Sequence, residues 1–317
     1  MGTRWCMVLV ALATLAPASS FAAQAGDPVA VLTEIRAGQG EVRAKLAAGA
    51  DWRAPLPLLS LRPGDQIRVT KNATAVLMFT GGQGTVTVAA ANSPYTVQVP
   101  AAGATGGKSS ELVANLSRLL MGKRKELTYV PLTTRSVKQP PLLLSPRDGK
   151  LLGPPVLEWG GSDRLRYTVR VVGPQGPIWE QANLPRAPLA YPASAPRLSP
   201  GVPYQWELGT KDLPVQRGKF SILTPTEAAA VRDTLNALAP ASLSGYPKNT
   251  LALVRAEYLF EQELYVDART ELEAAITADP DEPGLHVMLG HVFERTGLTE
   301  LAAEEFDEAQ FLTTRTP

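Results

Sequence analysis

Apolar and polar positions change their rhythm along the chain. From residue 26 to about 103 they alternate in short runs: EVRAKL, DQIRV, AVLMF, TVTV and YTVQV. A period of two predicts half-buried strands. Asn72, Gly81-Gly82, Gly84 and Asn92-Ser93-Pro94 punctuate the runs as turns. Pro63-Gly64-Asp65 fits a tight turn: proline fixes φ, and glycine takes the positive φ of type II. These features predict an all-β domain over 26–103, with Ile67, Val69, Val76, Met78, Val86 and Val88 inward. Over 104–139 the rhythm is helical and then extended. SSELVANLSRLLMGKRKEL places Leu112, Leu116, Leu119 and Leu120 on one face, with Ser109 or Ser110 able to cap the start. Lys123, Arg124 and Lys125 fall at the negative end of that helix dipole. VKQPPLLLSP reads as a polyproline-like link.

The strand rhythm returns over 140–224. PPVLEWGGSDRLRYTVRVV turns Leu157 and Trp159, then Leu165, Tyr167, Val169 and Val171, to one side, and LSPGVPYQWEL does so for Tyr204, Trp206 and Leu208. Short alternating strands with turns between them predict a β-sandwich. The pattern P-P-x-L-x-W, Y-x-V-x-V, L-x-P-G-x-x-Y-x-W resembles immunoglobulin-like or fibronectin type III modules of exported proteins. Trp159 and Trp206 read as core, because a sandwich without disulfides needs large aromatic side chains.

Residues 225–317 are helical and repeat. Shifting 249–282 onto 283–316 places Ala256 on Gly290, Leu259 on Phe293, Leu264 on Leu298, Ala268 on Ala302, Leu272 on Phe306 and Ala275 on Ala309. Small residues where two helices touch, large apolar ones between and Pro280 at the exit resemble the tetratricopeptide pattern. The earlier segment TEAAAVRDTLNALA carries Ala228, Val231, Leu235 and Leu238 and reads as a cap. Two such repeats bury too little alone, so the stack must lean on the cap helix, the sandwich or a partner.

Gly40-Glu41-Val42, the lead-in PLPLLSL, L-x-x-GD-x-I-x-V and A-V-L-x-F-x-GG together resemble the FecR-type β-domain over roughly residues 30–100. The resemblance implies an exported bacterial protein. The namesake regulators carry a cytoplasmic helical segment and a membrane span ahead of the domain. The expected architecture here has neither, so signalling to a sigma factor does not follow. The glycines of GGQG invite comparison with a phosphate cradle. Such a cradle needs a helix directly behind it, whereas TVTVAAANSPYTVQV continues as strand, turn, strand. The glycines are expected to be hairpin turns.

Composition adds a compartment. Arg4, the short apolar run CMVLVALATLA and the small residues of SFA and AQA form an export signal over 1–25, with cleavage after Ala22 or Ala25. The apolar run is shorter than the ~20 residues of a membrane span. Cys6 is the single cysteine, so the mature chain would hold no disulfide or thiolate chemistry. The expected location is periplasmic or secreted, with no stable membrane span in the mature chain. Charge is divided: 26–225 carry 24 Lys and Arg against 13 Asp and Glu, and 226–317 carry 6 against 17. Halves of opposite sign predict different partners, or halves that dock on each other.

No constellation for catalysis emerges, and no catalytic, cofactor-binding or metal-binding residue is assigned. His286 and His291, five apart on one helix, have poor geometry for shared ligation and are expected to be solvated. The tetratricopeptide resemblance implies a groove lined by the first helix of each pair, here Leu253, Glu257 and Phe260, then Val287, His291 and Glu294. An acidic groove with an apolar floor would take a basic, extended peptide. The sequence reading is therefore multidomain: an all-β FecR-like domain, an immunoglobulin- or fibronectin-III-like β-sandwich and an all-α tetratricopeptide-like stack. Its expected role is a non-catalytic exported adaptor or scaffold that needs no cofactor and binds no nucleic acid. The helical repeats would hold a protein, and the basic β portion an anionic envelope polymer. The alternative is a periplasmic sensing protein that relays a signal to a membrane partner through its FecR-like domain.

Overall fold

The computed structural model describes residues 27–80, 84–99, 108–122 and 141–314. The expected export segment, residues 81–83 and the basic and proline-rich link at 123–140 lie outside them. Strands fill the N-terminal two thirds and helices the C-terminal third, with one helix between the two β regions.

The first β region holds β1 (Ala30–Arg36), β2 (Val42–Lys45), β3 (Ser60–Leu61), β4 (Gln66–Val69), β5 (Thr74–Phe79), β6 (Thr85–Val88) and β7 (Tyr95–Thr96). They form two sheets, ordered β3-β1-β5-β6 and β2-β4-β7. Leu32, Leu61, Ile67, Val69, Leu77 and Val88 meet between the sheets. The Pro63-Gly64 turn forms: Gly64 has φ +91, and Asp65 N donates to Arg62 O at 3.0 Å. Its buried Asp65 carboxylate accepts from Arg62 N at 2.7 Å and from Ala47 N at 2.8 Å. β5 and β6 pair antiparallel, so the glycine run joins two strands of a hairpin.

The expected inward set divides between two cores. Ile67, Val69 and Val88 enter the core between the sheets, Val86 is half-buried against it, Met78 faces the helices with Val31, and Val76 is buried but joins neither core. β1 and β5 are thus covered on both faces, which is why AVLMF runs apolar without alternation.

Helix α1 (Lys108–Gly122) lies against this covered sheet. It buries Val113, Leu116 and Leu120, while Leu119 is 41% exposed, contrary to its expected inward position.

The second β region comprises β8 (Leu142–Ser145), β9 (Lys150–Leu151), β10 (Val156–Gly160), β11 (Tyr167–Gly173), β12 (Gly176–Leu184), β13 (Leu189–Ala190), β14 (Pro203–Thr210) and β15 (Leu213–Ile222). One sheet runs β13-β10-β8 and the other β12-β11-β14-β15-β9. Leu157, Trp159, Tyr167, Val169, Val171, Trp206 and Leu208 fill the core between them. Trp206 Nε1 donates to Pro146 O at 2.6 Å, which satisfies both buried groups.

Five helices follow: α2 (Pro225–Ala237), α3 (Lys248–Glu261), α4 (Tyr265–Ala278), α5 (Pro283–Arg295) and α6 (Thr299–Thr314). Thr224 and Glu227 close a capping box at the start of α2, with Pro225 in the first turn. α3 packs on α4, α4 on α5 and α5 on α6. The residues matched by the 34-residue shift are buried along these contacts: Leu264, Ala268 and Leu272 in one copy, Leu298, Ala302 and Phe306 in the other. Gly290 stands where the first copy has Ala256; a Cβ there would lie 2.4 Å from the Phe306 ring. The larger Phe306, in place of Leu272, is accommodated by the missing methyl.

α1, α3 and α5 form the helical layer nearest β1 and β5, and α4 and α6 the layer beyond. The order through the molecule is therefore sheet β2-β4-β7, sheet β3-β1-β5-β6, α1/α3/α5, then α4/α6. The second β region braces the side. Lys150 N donates to Glu263 O at 2.8 Å in the α3–α4 turn, and Arg269 of α4 reaches Glu158 of β10 at 2.9 Å.

Candidate functional site

The junction of β1 with α3 and α5 is built from polar groups buried inside an apolar layer. The ladder between β1 and β5 slips between Leu32 and Glu34, leaving Thr33 as the extra residue of a bulge. A bulge re-aims side chains, and here Thr33 and Glu34 both address α3. The N-cap of α3 is Pro247, whose side chain caps nothing. Glu34 does so instead: its Oε1 accepts from Thr250 N at 3.1 Å and from Thr250 Oγ1 at 2.8 Å. Thr33 Oγ1 lies 3.0 Å from Thr250 Oγ1.

Glu282 serves α5 in the same way. It accepts from Gly284 N at 3.3 Å and, through its two oxygens, from Ile35 N at 3.2 and 3.3 Å. Gly284 leaves room for the strand, since a Cβ would stand 3.0 Å from Thr33 O. Both carboxylates sit at helix N-termini, where the helix dipole favours negative charge. Glu282 is nonetheless almost fully buried and lies near Glu34. Desolvation, then Glu34, pushes its pKa well up, against the backbone hydrogen bonds and Arg36. At the exposed end of the junction Arg36 pairs with Asp279, which also accepts from Asn249 Nδ2 at 2.6 Å.

This junction settles where the expected groove residues stand. Leu253 and Glu257 are fully buried and His291 nearly so; Phe260 and Val287 are half-buried; Glu294 is exposed. These side chains do not line one open groove, because β1 and α1 already lie along the inner helices. The histidines are not solvated as expected. His286 Nδ1 lies 2.7 Å from a Glu305 oxygen and Nε2 lies 3.0 Å from Pro280 O. Both ring nitrogens face acceptors, an arrangement that the doubly protonated ring satisfies. Desolvation lowers the His286 pKa, but Glu305 and Pro280 outweigh it, and the net shift is upward. His291 packs edge-on against Phe306 and lies 3.5 Å from Glu294.

Open space lies on the outer side of α3 instead. A cleft of about 840 Å³ runs between β1's end, α3 and α4, and a second of about 720 Å³ continues toward α2. Leu235, Lys248, Ala252 and Glu271 belong to both. α4 contributes Asp267, Glu271, Ala274 and Ala278, which recur at helical spacing on one face. Ala274 and Ala278 are exposed and bare, so the wall is low. Desolvation pushes the Asp267 carboxyl up. Arg255 is tied to Glu271 by a two-nitrogen contact at 2.7 and 3.2 Å and to Leu235 O at 3.0 Å, which braces α2 across α3.

The junction residues Glu34, Thr250 and Glu282 were not singled out from sequence. The available sign was a carboxylate inside the otherwise buried strand AVLTEIR. Among the described residues no group of three or more His, Cys, Asp or Glu could hold a metal ion. No helix among them is long and apolar enough to cross a membrane. No protein-family model matches the chain, and no curated protein is significantly similar to it in sequence.

Proposed function

We propose that this chain is an exported, non-catalytic adaptor of the bacterial periplasm. It combines a FecR-like β-domain, an immunoglobulin- or fibronectin-III-like sandwich and a tetratricopeptide-like stack, and it holds a protein partner in the outer cleft between α2 and α4. The supporting observation is the junction itself. The inner helical face is occupied by the chain's own strand, and among the described residues an accessible concavity of the helical part lies on the outer side, floored by α3. Its small, exposed α4 residues leave space for an approaching segment, and Lys248, Asp267 and Glu271 offer charges of both signs.

Deleting 226–317 is a poor test, because it would strip the cover from Val31, Met78 and α1. The suitable test is the double variant Ala274→Arg/Ala278→Arg, which fills the cleft from exposed positions. Affinity capture from a periplasmic fraction, with the captured proteins identified, should yield a partner with the wild type that the variant loses. A partner held equally by both would refute the cleft. N-terminal sequencing of the exported protein should begin at Ala23 or Gly26, and an intact Met1 would refute the export reading.

A second reading, a sensing protein that relays a signal through its β-domain to a membrane partner, is favoured by one observation. Glu34 and Glu282 couple β1 directly to the helical stack, so a change at either side would be felt by the other.

A further inference from the structure

The loop between β2 and β3 is made of residues that belong in a core, yet it stands at the surface. Its sequence is LAAGADWRAPLPLL, and Leu46 and Leu56 are 43% and 50% exposed. Between them lies a cavity of about 410 Å³, within the ~300–1,000 Å³ usual for small-ligand sites. Leu46, Ala48, Ala50, Ala54 and Leu56 wall it, and Leu59, from the core between the sheets, forms its floor.

The loop is held open by three ties. Ala44 and Arg53 exchange backbone hydrogen bonds at 2.8 and 2.9 Å. Ala47 N donates to the buried Asp65 at 2.8 Å, and Gly49 N to Leu46 O at 2.8 Å. The cavity is therefore preformed rather than a gap left by a loose chain.

Its rim carries one cation and one anion, Arg53 and Asp51, beside a face of the sheet that is basic. Arg53 lines the cavity with its side chain 82% exposed; its neighbour Asp51 is 3.8 Å away and 75% exposed, a pairing that contributes little. Lys45 ends β2 just ahead of the loop. Behind it, on the outer face of sheet β2-β4-β7, Arg43 stands directly opposite Arg68. Like charges in that position are destabilising. Glu41 pairs with Arg43 at 2.9 Å, and Arg68 rests 4.6 Å over the Trp52 ring. Arg43 foremost, with Arg68 and Lys71 further off, holds the Glu41 carboxyl below its usual range, so the field on this face is positive.

We propose that this loop is a binding site for a single-chain anionic amphiphile of the fatty-acid type. The apolar chain lies in the cavity, and the carboxylate rests on Arg53. One cavity takes one chain, the exposed leucines cover it at the mouth, and Arg53 selects the anionic head. A single-stranded nucleic acid fits less well, because it needs free aromatic platforms and the one indole here is covered by Arg68. The site shares no residue with the α2–α4 cleft, so the failure of either reading leaves the other standing.

The test is titration calorimetry of the full chain with sodium dodecanoate below its micelle concentration. Saturable binding at one site is expected, with uncharged dodecanol roughly tenfold weaker or more. Ala50→Trp and Ala54→Trp, both at exposed positions, fill the cavity and should abolish binding. Arg53→Glu should weaken dodecanoate roughly tenfold or more while leaving dodecanol unchanged. Absence of saturable binding overturns the proposal, as does undiminished binding to the filled variants. Adsorption only to phosphatidylglycerol vesicles, or binding only to a single-stranded oligonucleotide, would also overturn it and assign the face to a membrane or to nucleic acid.

Discussion

Replacing Glu282 by glutamine probes the junction at its most costly point. The carboxyl is 1% exposed, and its hydrogen bonds to Ile35 N and Gly284 N, at 3.2–3.3 Å, are long. Ionising it there means removing a charge from water beside Glu34, with Arg36 the favourable neighbour. Its folded pKa therefore lies well above the unfolded value. Below the unfolded pKa, near 4.5, both states are protonated and the site carries no penalty. As pH rises past that value the unfolded chain releases its proton while the folded chain keeps it. Stability then falls by about 1.4 kcal/mol per pH unit until the folded pKa is reached, and is level beyond it. Glutamine keeps the accepting oxygen and removes the titration.

The assay is urea unfolding of both proteins at pH 5, 6, 7 and 8. Between pH 5 and 6 the wild type should lose stability relative to Glu282→Gln by up to about 1.4 kcal/mol. His286 does not contribute to that first interval. Its pKa is raised from 6.5, so its stabilisation is complete below that value and is lost as pH rises from there through the folded value. Glu41 and Glu227 have lowered values, and their stabilisation is already complete above about pH 5. Parallel pH profiles for the two proteins, or a wild type that gains on Glu282→Gln as pH rises, would refute the reasoning.

Other outcomes follow from single contacts. Gly290→Ala forces a methyl against Phe306 and should cost about 1–3 kcal/mol; adding Phe306→Leu, the residue type of the first copy, should restore most of it in thermal unfolding. If the second change adds to the loss, the repeat register is wrong. Trp206→Phe leaves Pro146 O without its donor and should cost about 1–3 kcal/mol in urea unfolding; an unchanged midpoint would contradict the role given to that bond. His286→Gln should flatten the fall in stability above pH 6.5, and an unaltered fall would show that His286 is not its source. Thr224→Ala should cost about 1 kcal/mol through the lost cap of α2, and no change would mean that Glu227 or water replaces it.

The parts legible in the sequence were those governed by local periodicity. Trp159, Tyr167, Val169, Val171, Trp206 and Leu208 all enter the core to which their alternation assigned them. The 34-residue shift matched residues that are buried between successive helices, apart from the half-buried Ala275. What failed needed knowledge of a second surface. Met78 was assigned to the same core as Ile67, but its strand is buried on both faces and Met78 lies on the helical side. Leu253 and Glu257 read as groove residues because the period of a helix gives its faces without saying what lies against them. The covering elements, β1 and α1, lie far earlier in the chain. His286 was expected in water for the same reason: Glu305, its partner, lies on the next helix. The loop at 46–58 was passed over because alanines and prolines carry no period. Its character appears only once Leu46 and Leu56 are seen at the surface.

The most direct measurement of the layered arrangement is a cross-link between β1 and α3. Thr33 Oγ1 and Thr250 Oγ1 are 3.0 Å apart, so Thr33→Cys/Thr250→Cys, in a chain with Cys6 replaced by serine, places two thiols within bonding reach. Air oxidation should close an intramolecular disulfide, seen as a monomer of altered mobility without reactive thiols on a non-reducing gel. A monomer with both thiols still open to alkylation after oxidation would contradict the covering of the inner helical face by β1.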